Sequence, residues 1–131
     1  MNNNELLTMA KKAMQSAYSP YSCFKVGAAI LTVDGSVYTG CNIENSSFGA
    51  TICAERTAAV KAVSEGHTKF RKIAVTGSAN EFTYPCGICR QFLSEFVTAD
   101  CSIILEDKDK GITEIPFTDF LPYAFTADCI K

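Results

Sequence analysis

Apolar residues recur at helical spacing through the start of the chain. Leu6, Leu7, Ala10, Ala13, Met14 and Ala17 fall on one stripe of a 3.6-residue period and predict a helix over 3–17, with an asparagine available as cap before Glu5. That helix must stop by Ser19, because Pro20 disfavours helical geometry in the residue before it. The pattern then changes. Residues 24–32 read as a buried strand, Val33-Asp34-Gly35-Ser36 as a turn and 37–42 as the antiparallel partner. A loop of small polar residues follows over 44–50. Alanine-rich 53–65 predicts a second helix, ended by Gly66. A strand over 70–76 leads into a loop through Pro85. Beyond it come a third helix over 86–97 and a buried strand over 101–105. Asp107-Lys108-Asp109-Lys110-Gly111 turns into a short edge strand ending before Pro116. A small helix over 117–121 precedes a tail holding Tyr123 and Phe125. The order β-β-α-β-α-β-β implies an α/β fold, with helices packed on a mixed sheet of about five strands and parallel pairing where a helix crosses over.

Composition narrows the class. At 131 residues the chain is expected to form one domain, residues 1–131, large enough for a proper core. Twelve basic against fourteen acidic residues, with no basic run, argue against a nucleic-acid partner, which requires a positive surface. The first residues lack the basic and apolar regions of a secretory signal. No run approaches the length that spans a bilayer, so no membrane partner is expected. Seven cysteines, an odd number, suggest reduced thiols in a cytoplasmic protein.

The chemistry concentrates in two segments, Cys53-Ala54-Glu55-Arg56 and Pro85-Cys86-Gly87-Ile88-Cys89-Arg90, each at the opening of a predicted helix. The positive end of a helix dipole favours thiolate there. Cys86 and Cys89 stand at i and i+3, hence on one helix face. Three thiolates suit a zinc ion, and three protein ligands leave the fourth tetrahedral corner open, as catalytic zinc sites do. A Cys-x-x-Cys pair alone also fits a dithiol redox motif or two core cysteines. A structural zinc site would be one ligand short. Glu55, two residues after Cys53, shares its pocket only if Cys53 sits at the cap, before helical geometry sets in. Arg56, at i+3 from Cys53, is placed either to withdraw charge from a ligand sulfur or on a solvated surface.

Four motifs in order carry a family resemblance: Phe24-Lys25-Val26-Gly27-Ala28-Ala29, Gly40-Cys41-Asn42-Ile43-Glu44-Asn45, Cys53-Ala54-Glu55-Arg56-Thr57 and Pro85-Cys86-Gly87-Ile88-Cys89-Arg90-Gln91. Over essentially the whole chain the sequence resembles the short, homotetrameric class of cytidine deaminases. The resemblance implies a three-layer α/β/α sandwich with one zinc per chain, held by Cys53, Cys86 and Cys89. It implies hydrolytic deamination of free cytidine and deoxycytidine in pyrimidine salvage, with Glu55 moving protons between water, N3 and the leaving ammonia. Rivals within the zinc class are an antibiotic-directed deaminase of the blasticidin kind and a nucleic-acid base editor.

Substrate contacts rest on the same resemblance. It places Asn42 and Glu44, which alternate on an extended segment and so point the same way, on the sugar 3′-hydroxyl. An amide and a carboxylate together donate to and accept from such a group. By composition alone they read as an Asx-type turn with a solvated glutamate. Phe24, by burial statistics a core residue, is placed against the pyrimidine ring. Ala54 joins it in the pocket, and Phe48 and Phe125 are expected to act across a subunit boundary. Cys23, Cys41, Cys101 and Cys129 are expected to pack as small apolar groups. His67, the sole histidine, belongs to no ligand spacing.

Overall fold

A computed structural model describes residues 1–130. Among these residues three α-helices and five strands alternate in the order α1 (Asn3–Met14), β1 (Val26–Thr32), β2 (Val37–Cys41), α2 (Ala54–Ser64), β3 (Phe70–Gly77), α3 (Gly87–Leu93), β4 (Val97–Asp107) and β5 (Gly111–Pro116), with short 3-10 turns at Phe48–Ala50, Phe117–Phe120 and Ala127–Ile130. The strands form one mixed sheet ordered β2-β1-β3-β4-β5. β1 pairs antiparallel with both β2 and β3, and β4 with β5. β3 and β4 run parallel, joined by the crossover that contains α3. Parallel neighbours need such a crossover, whereas the β1–β2 pair closes through a tight turn.

Alternation along each strand sorts the sheet into two faces. Ala29, Ala74 and Ile104 turn toward α1 and pack with Leu6, Leu7 and Ala10. Ala28, Ile30, Ile73, Val75, Ile103 and Leu105 turn the other way, onto Ala54, Ala58, Ala59 and Ala62 of α2 and Cys89 and Leu93 of α3. The result is the expected α/β/α sandwich. Every buried α2 side chain in that contact is alanine, so α2 lies unusually close to the sheet. Gly40 of β2 makes that approach complete: a Cβ there would meet Ala58 N at 2.4 Å and Ala54 O at 2.6 Å.

Several boundaries differ from the sequence reading. α1 ends at Met14 rather than residue 17, because Ser16 and Ala17 close a turn onto Ala13 and Met14. β1 begins at Val26, since Asn42 inserts its side chain between the strands: Val26 N donates to Asn42 Oδ1 at 2.9 Å. α3 stops at Leu93, and β4 starts at Val97, four residues before Cys101. Phe70 N donates to Phe96 O, and the two rings lie 5.6 Å apart. Pairing with β3 thereby carries Val97, expected as the last residue of the third helix, into a strand.

Candidate active site

Both helices on the face opposite α1 start at a cysteine. Cys53 is the N-cap of α2 and Cys86 the N-cap of α3, each with extended backbone and with no side-chain capping bond. The extended cap at Cys53 meets the condition under which it and Glu55 face one pocket. Cys89 lies in the first turn of α3 and is fully buried. Their three sulfurs lie within 4.8 Å of one another, and the Cys53 and Cys86 sulfurs are 3.6 Å apart. Tetrahedral zinc with bonds of about 2.3 Å sets its sulfurs about 3.8 Å apart. Spacing and donor softness therefore fit zinc, with Cys53, Cys86 and Cys89 as the sulfurs that could hold it.

Acid and base surround the sulfurs. Glu55 is 3% exposed, and its carboxyl lies beside the Cys53 and Cys89 sulfurs. Burial pushes that carboxyl up to about 7, and negative charge at Cys53 adds to the effect. A hydrogen bond from Cys89, opposed by burial and reinforced by Arg56, brings the Cys53 thiol down to about 5. The same neighbour, Cys53, raises the Cys89 thiol, and burial raises it further. Arg56 Nη2 donates to Cys53 Sγ at 3.7 Å. Its Nε is buried and has no partner among the described residues. Arg56 thus lies in the cluster, not on a solvated face.

Phe24, Asn42 and Glu44 meet around the segment that leads into β1. Asn42 Nδ2 donates to Phe24 O at 2.8 Å while its Oδ1 accepts from Val26 N. Glu44 Oε1 accepts from Tyr21 N at 3.0 Å and Ser22 N at 3.1 Å, and Oε2 accepts from the Ser22 hydroxyl. These bonds leave one Asn42 N–H and at least one Glu44 lone pair free, which is the complement of a hydroxyl. Hydrogen bonds to Ser22 hold the Glu44 carboxyl below its usual range. Tyr21, Ser22, Glu44, Asn45, Phe48 and Thr51 line a cleft of about 340 Å³ there. The Phe24 ring lies over Gly77, where a Cβ would meet its Cζ at 2.9 Å. Ala54 is buried. Phe48 is 80% and Phe125 59% exposed, and the Phe125 carbonyl accepts from Gln91 Nε2 at 2.7 Å.

Two residues escaped sequence reasoning. Ser22 is one. The other is Arg90, whose Nε donates to Pro85 O at 2.7 Å and whose Nη1 donates to Phe120 O at 3.2 Å, with its guanidinium over the Phe120 ring. Its position one turn after Cys86 was the available signal. His67 instead pairs with Asp34 at 3.2 Å, away from the sulfurs.

Fold and site together define a zinc–thiolate enzyme of the α/β/α type, with a buried acid beside the sulfurs. The family profile described as "Cytidine and deoxycytidylate deaminase zinc-binding region" matches residues 1–105. A cytidine deaminase of Halalkalibacterium halodurans is 47% identical over 98% of this chain and 97% of its own. One of Sporosarcina psychrophila is 44% identical over 98% and 94%. The crystal structure of cytidine deaminase from Burkholderia pseudomallei superposes with a TM-score of 0.89 at 42% identity, covering 95% of this chain and all of that one. That of Mycobacterium tuberculosis superposes at 0.84 with 37% identity, covering 96% and 98%. The chain belongs to the cytidine and deoxycytidylate deaminase family.

Proposed function

We propose that the protein hydrolyses free cytidine and deoxycytidine to uridine and deoxyuridine, releasing ammonia. The observation that carries this reading is a nearly inaccessible Glu55 two residues after Cys53, whose sulfur clusters with those of Cys86 and Cys89 at a spacing that suits zinc. Cys53, Cys86 and Cys89 would hold the ion. When bound, zinc supplies acidification of a water molecule at neutral pH. Glu55 takes a proton from that water at a carboxylate oxygen and delivers it to N3 of the ring as the water oxygen bonds to C4. It then takes the proton of the new C4 hydroxyl and gives it to the amino nitrogen. The C4–N bond breaks, ammonia leaves, and Glu55 ends ionised as it began. Burial serves this cycle, since a carboxyl near neutrality both accepts and gives protons readily and bulk water is excluded.

The remaining contacts follow from what each group has left to offer. The free Asn42 N–H and Glu44 lone pair take a sugar hydroxyl, and Phe24 and Ala54 flank the pyrimidine. Phe125 and Phe48, both exposed, close the pocket of a neighbouring subunit in a homotetramer. An apolar cleft of about 570 Å³ on the outer face of α3, lined by Ile88, Phe92 and Phe96 among others, supports such an assembly. Seven unbridged cysteines fit a cytoplasmic enzyme of pyrimidine salvage, and no helix among the described residues is long and apolar enough to cross a membrane. Ultraviolet monitoring of cytidine with purified protein tests the activity. Conversion that stops with a zinc chelator and returns with zinc is expected; no conversion by zinc-loaded protein overturns the reading.

A further inference from the structure

Ser22 joins the two groups that the proposed function assigns to sugar and base. Its hydroxyl donates to Glu44 Oε2 and accepts from Phe24 N at 3.1 Å. Its own N–H donates to Glu44 Oε1. One side chain therefore touches the carboxylate that would receive the sugar and the backbone that carries the ring against the base. Between them Cys23 adopts φ +59°, a left-handed conformation uncommon outside glycine, asparagine and aspartate. Such a conformation persists only where its surroundings over-determine it. Here the surroundings are visible. Cys23 N donates to Ser19 O at 3.0 Å, Glu44 binds both N–H groups before it, and Asn42 holds the Phe24 carbonyl after it.

We infer that Ser22 is a positioning residue for nucleoside recognition. It aims the remaining Glu44 lone pair at a sugar hydroxyl and couples that aim to the placement of the Phe24 ring. The chemical step lies elsewhere, at Glu55 and the sulfurs, and none of the hydrogen bonds found for Ser22 reaches them. Removing the hydroxyl leaves Glu44 Oε2 without its donor and the Phe24 N–H without its acceptor. The carboxylate then rotates toward whichever donors remain, and its free lone pair no longer meets the sugar. Loss of one charge-assisted hydrogen bond predicts an effect of about tenfold or more, seen in KM and not in kcat.

This inference rests on the proposed deaminase reading, and the test separates the two. Zinc-loaded wild-type protein, Ser22→Ala and Ser22→Thr are assayed on cytidine and on analogues each lacking one sugar hydroxyl. Wild-type protein is expected to prefer cytidine over one of the analogues. In Ser22→Ala that preference should shrink about tenfold, through KM, with zinc content and kcat within about twofold of wild type. Ser22→Thr, which keeps the hydroxyl, should restore the preference. A preference that persists in Ser22→Ala, with equal losses on every substrate or a fall in kcat alone, overturns the inference while leaving the activity standing. Wild-type protein that deaminates none of the substrates overturns the activity itself.

Discussion

Arg56 reaches the Cys53 sulfur through Nη2 at 3.7 Å, while its Nε lies buried with no acceptor among the described residues. A buried donor left unsatisfied costs free energy, so the guanidinium is held where its charge matters more than its hydrogen-bond count. Three thiolates around Zn²⁺ carry a net charge of −1, which makes a water there less acidic than three neutral imidazoles would. A guanidinium against one sulfur draws off part of that excess. Arg56→Gln should therefore retain zinc, by metal assay, and move the alkaline-going limb of the pH–rate profile upward by about one unit. An unmoved profile would show that Arg56 does not tune the site.

Glu55 gives the sharpest loss. A glutamine preserves shape and burial but cannot carry protons. Glu55→Gln should keep one zinc per chain and lower kcat by about 10³-fold or more, followed by the absorbance change of cytidine. Turnover within tenfold of wild type would remove Glu55 from the proton path.

Gly40 sets the distance between β2 and α2, and with it the position of the Cys53 cap. An added Cβ would meet backbone atoms Ala58 N and Ala54 O and the Cβ of Thr57 at 2.9 Å, none of which is the far end of a flexible chain. Gly40→Ala should destabilise the fold by about 2–3 kcal/mol, lowering Tm by about 5–10 °C. It should also weaken zinc retention against a chelator, because α2 must shift as a body. Calorimetry together with metal titration checks both; a stable variant with unchanged zinc affinity would contradict the close packing.

On the opposite face a polar cluster ties α1 to the sheet edge. Glu114 accepts from the Ser102 hydroxyl at 2.5 Å and from Asn3 Nδ2 at 2.8 Å, and Lys72 stands 3.8 Å away. These partners, the Ser102 hydroxyl foremost, hold its folded-state pKa below the ordinary 4.5. A lowered carboxylate contributes stability that is present above the unfolded value and lost as pH falls through the folded one. Tm of wild-type protein should thus fall more steeply below about pH 5 than that of Glu114→Gln. The difference will be modest, since the carboxylate is exposed and screened. Parallel Tm–pH curves would rule the contribution out.

The succession of helices and strands and the thiol pair of α3 were legible because each rests on a local signal, whereas the sheet order β2-β1-β3-β4-β5 was not. The apolar run of β1, the Val33-Asp34-Gly35-Ser36 turn and the segment after it mark a hairpin, and the spacing within Cys86-Gly87-Ile88-Cys89 fixes a shared helix face. Where tertiary contacts override local preference, the sequence misled. Residues 94–97 contain no glycine or proline to end α3, yet Phe96 and Val97 leave the helix to pair beside Phe70. The strand then absorbs three extra residues between Val97 and Ser102 relative to Phe70 and Lys72, an irregularity that no composition rule announces. Asn42 and Glu44 were visible as a pair. Their bonds to Phe24, Tyr21 and Ser22 were not, because those partners lie about twenty residues upstream and meet them only when β2 folds back on β1.

A cysteine at the N-cap forgoes the hydrogen bond that serine or aspartate would make to the opening turn. α2 and α3 both begin this way, so the ion that joins their sulfurs also fastens their first turns. Stripping it should fray those two ends first, with faster amide exchange at Thr57 and Arg90, whose N–H groups donate to the Cys53 and Cys86 carbonyls, while the sheet's central strands stay protected. Metal content in this fold would then be a local rivet, and its loss a softening of one wall before any collapse of the whole.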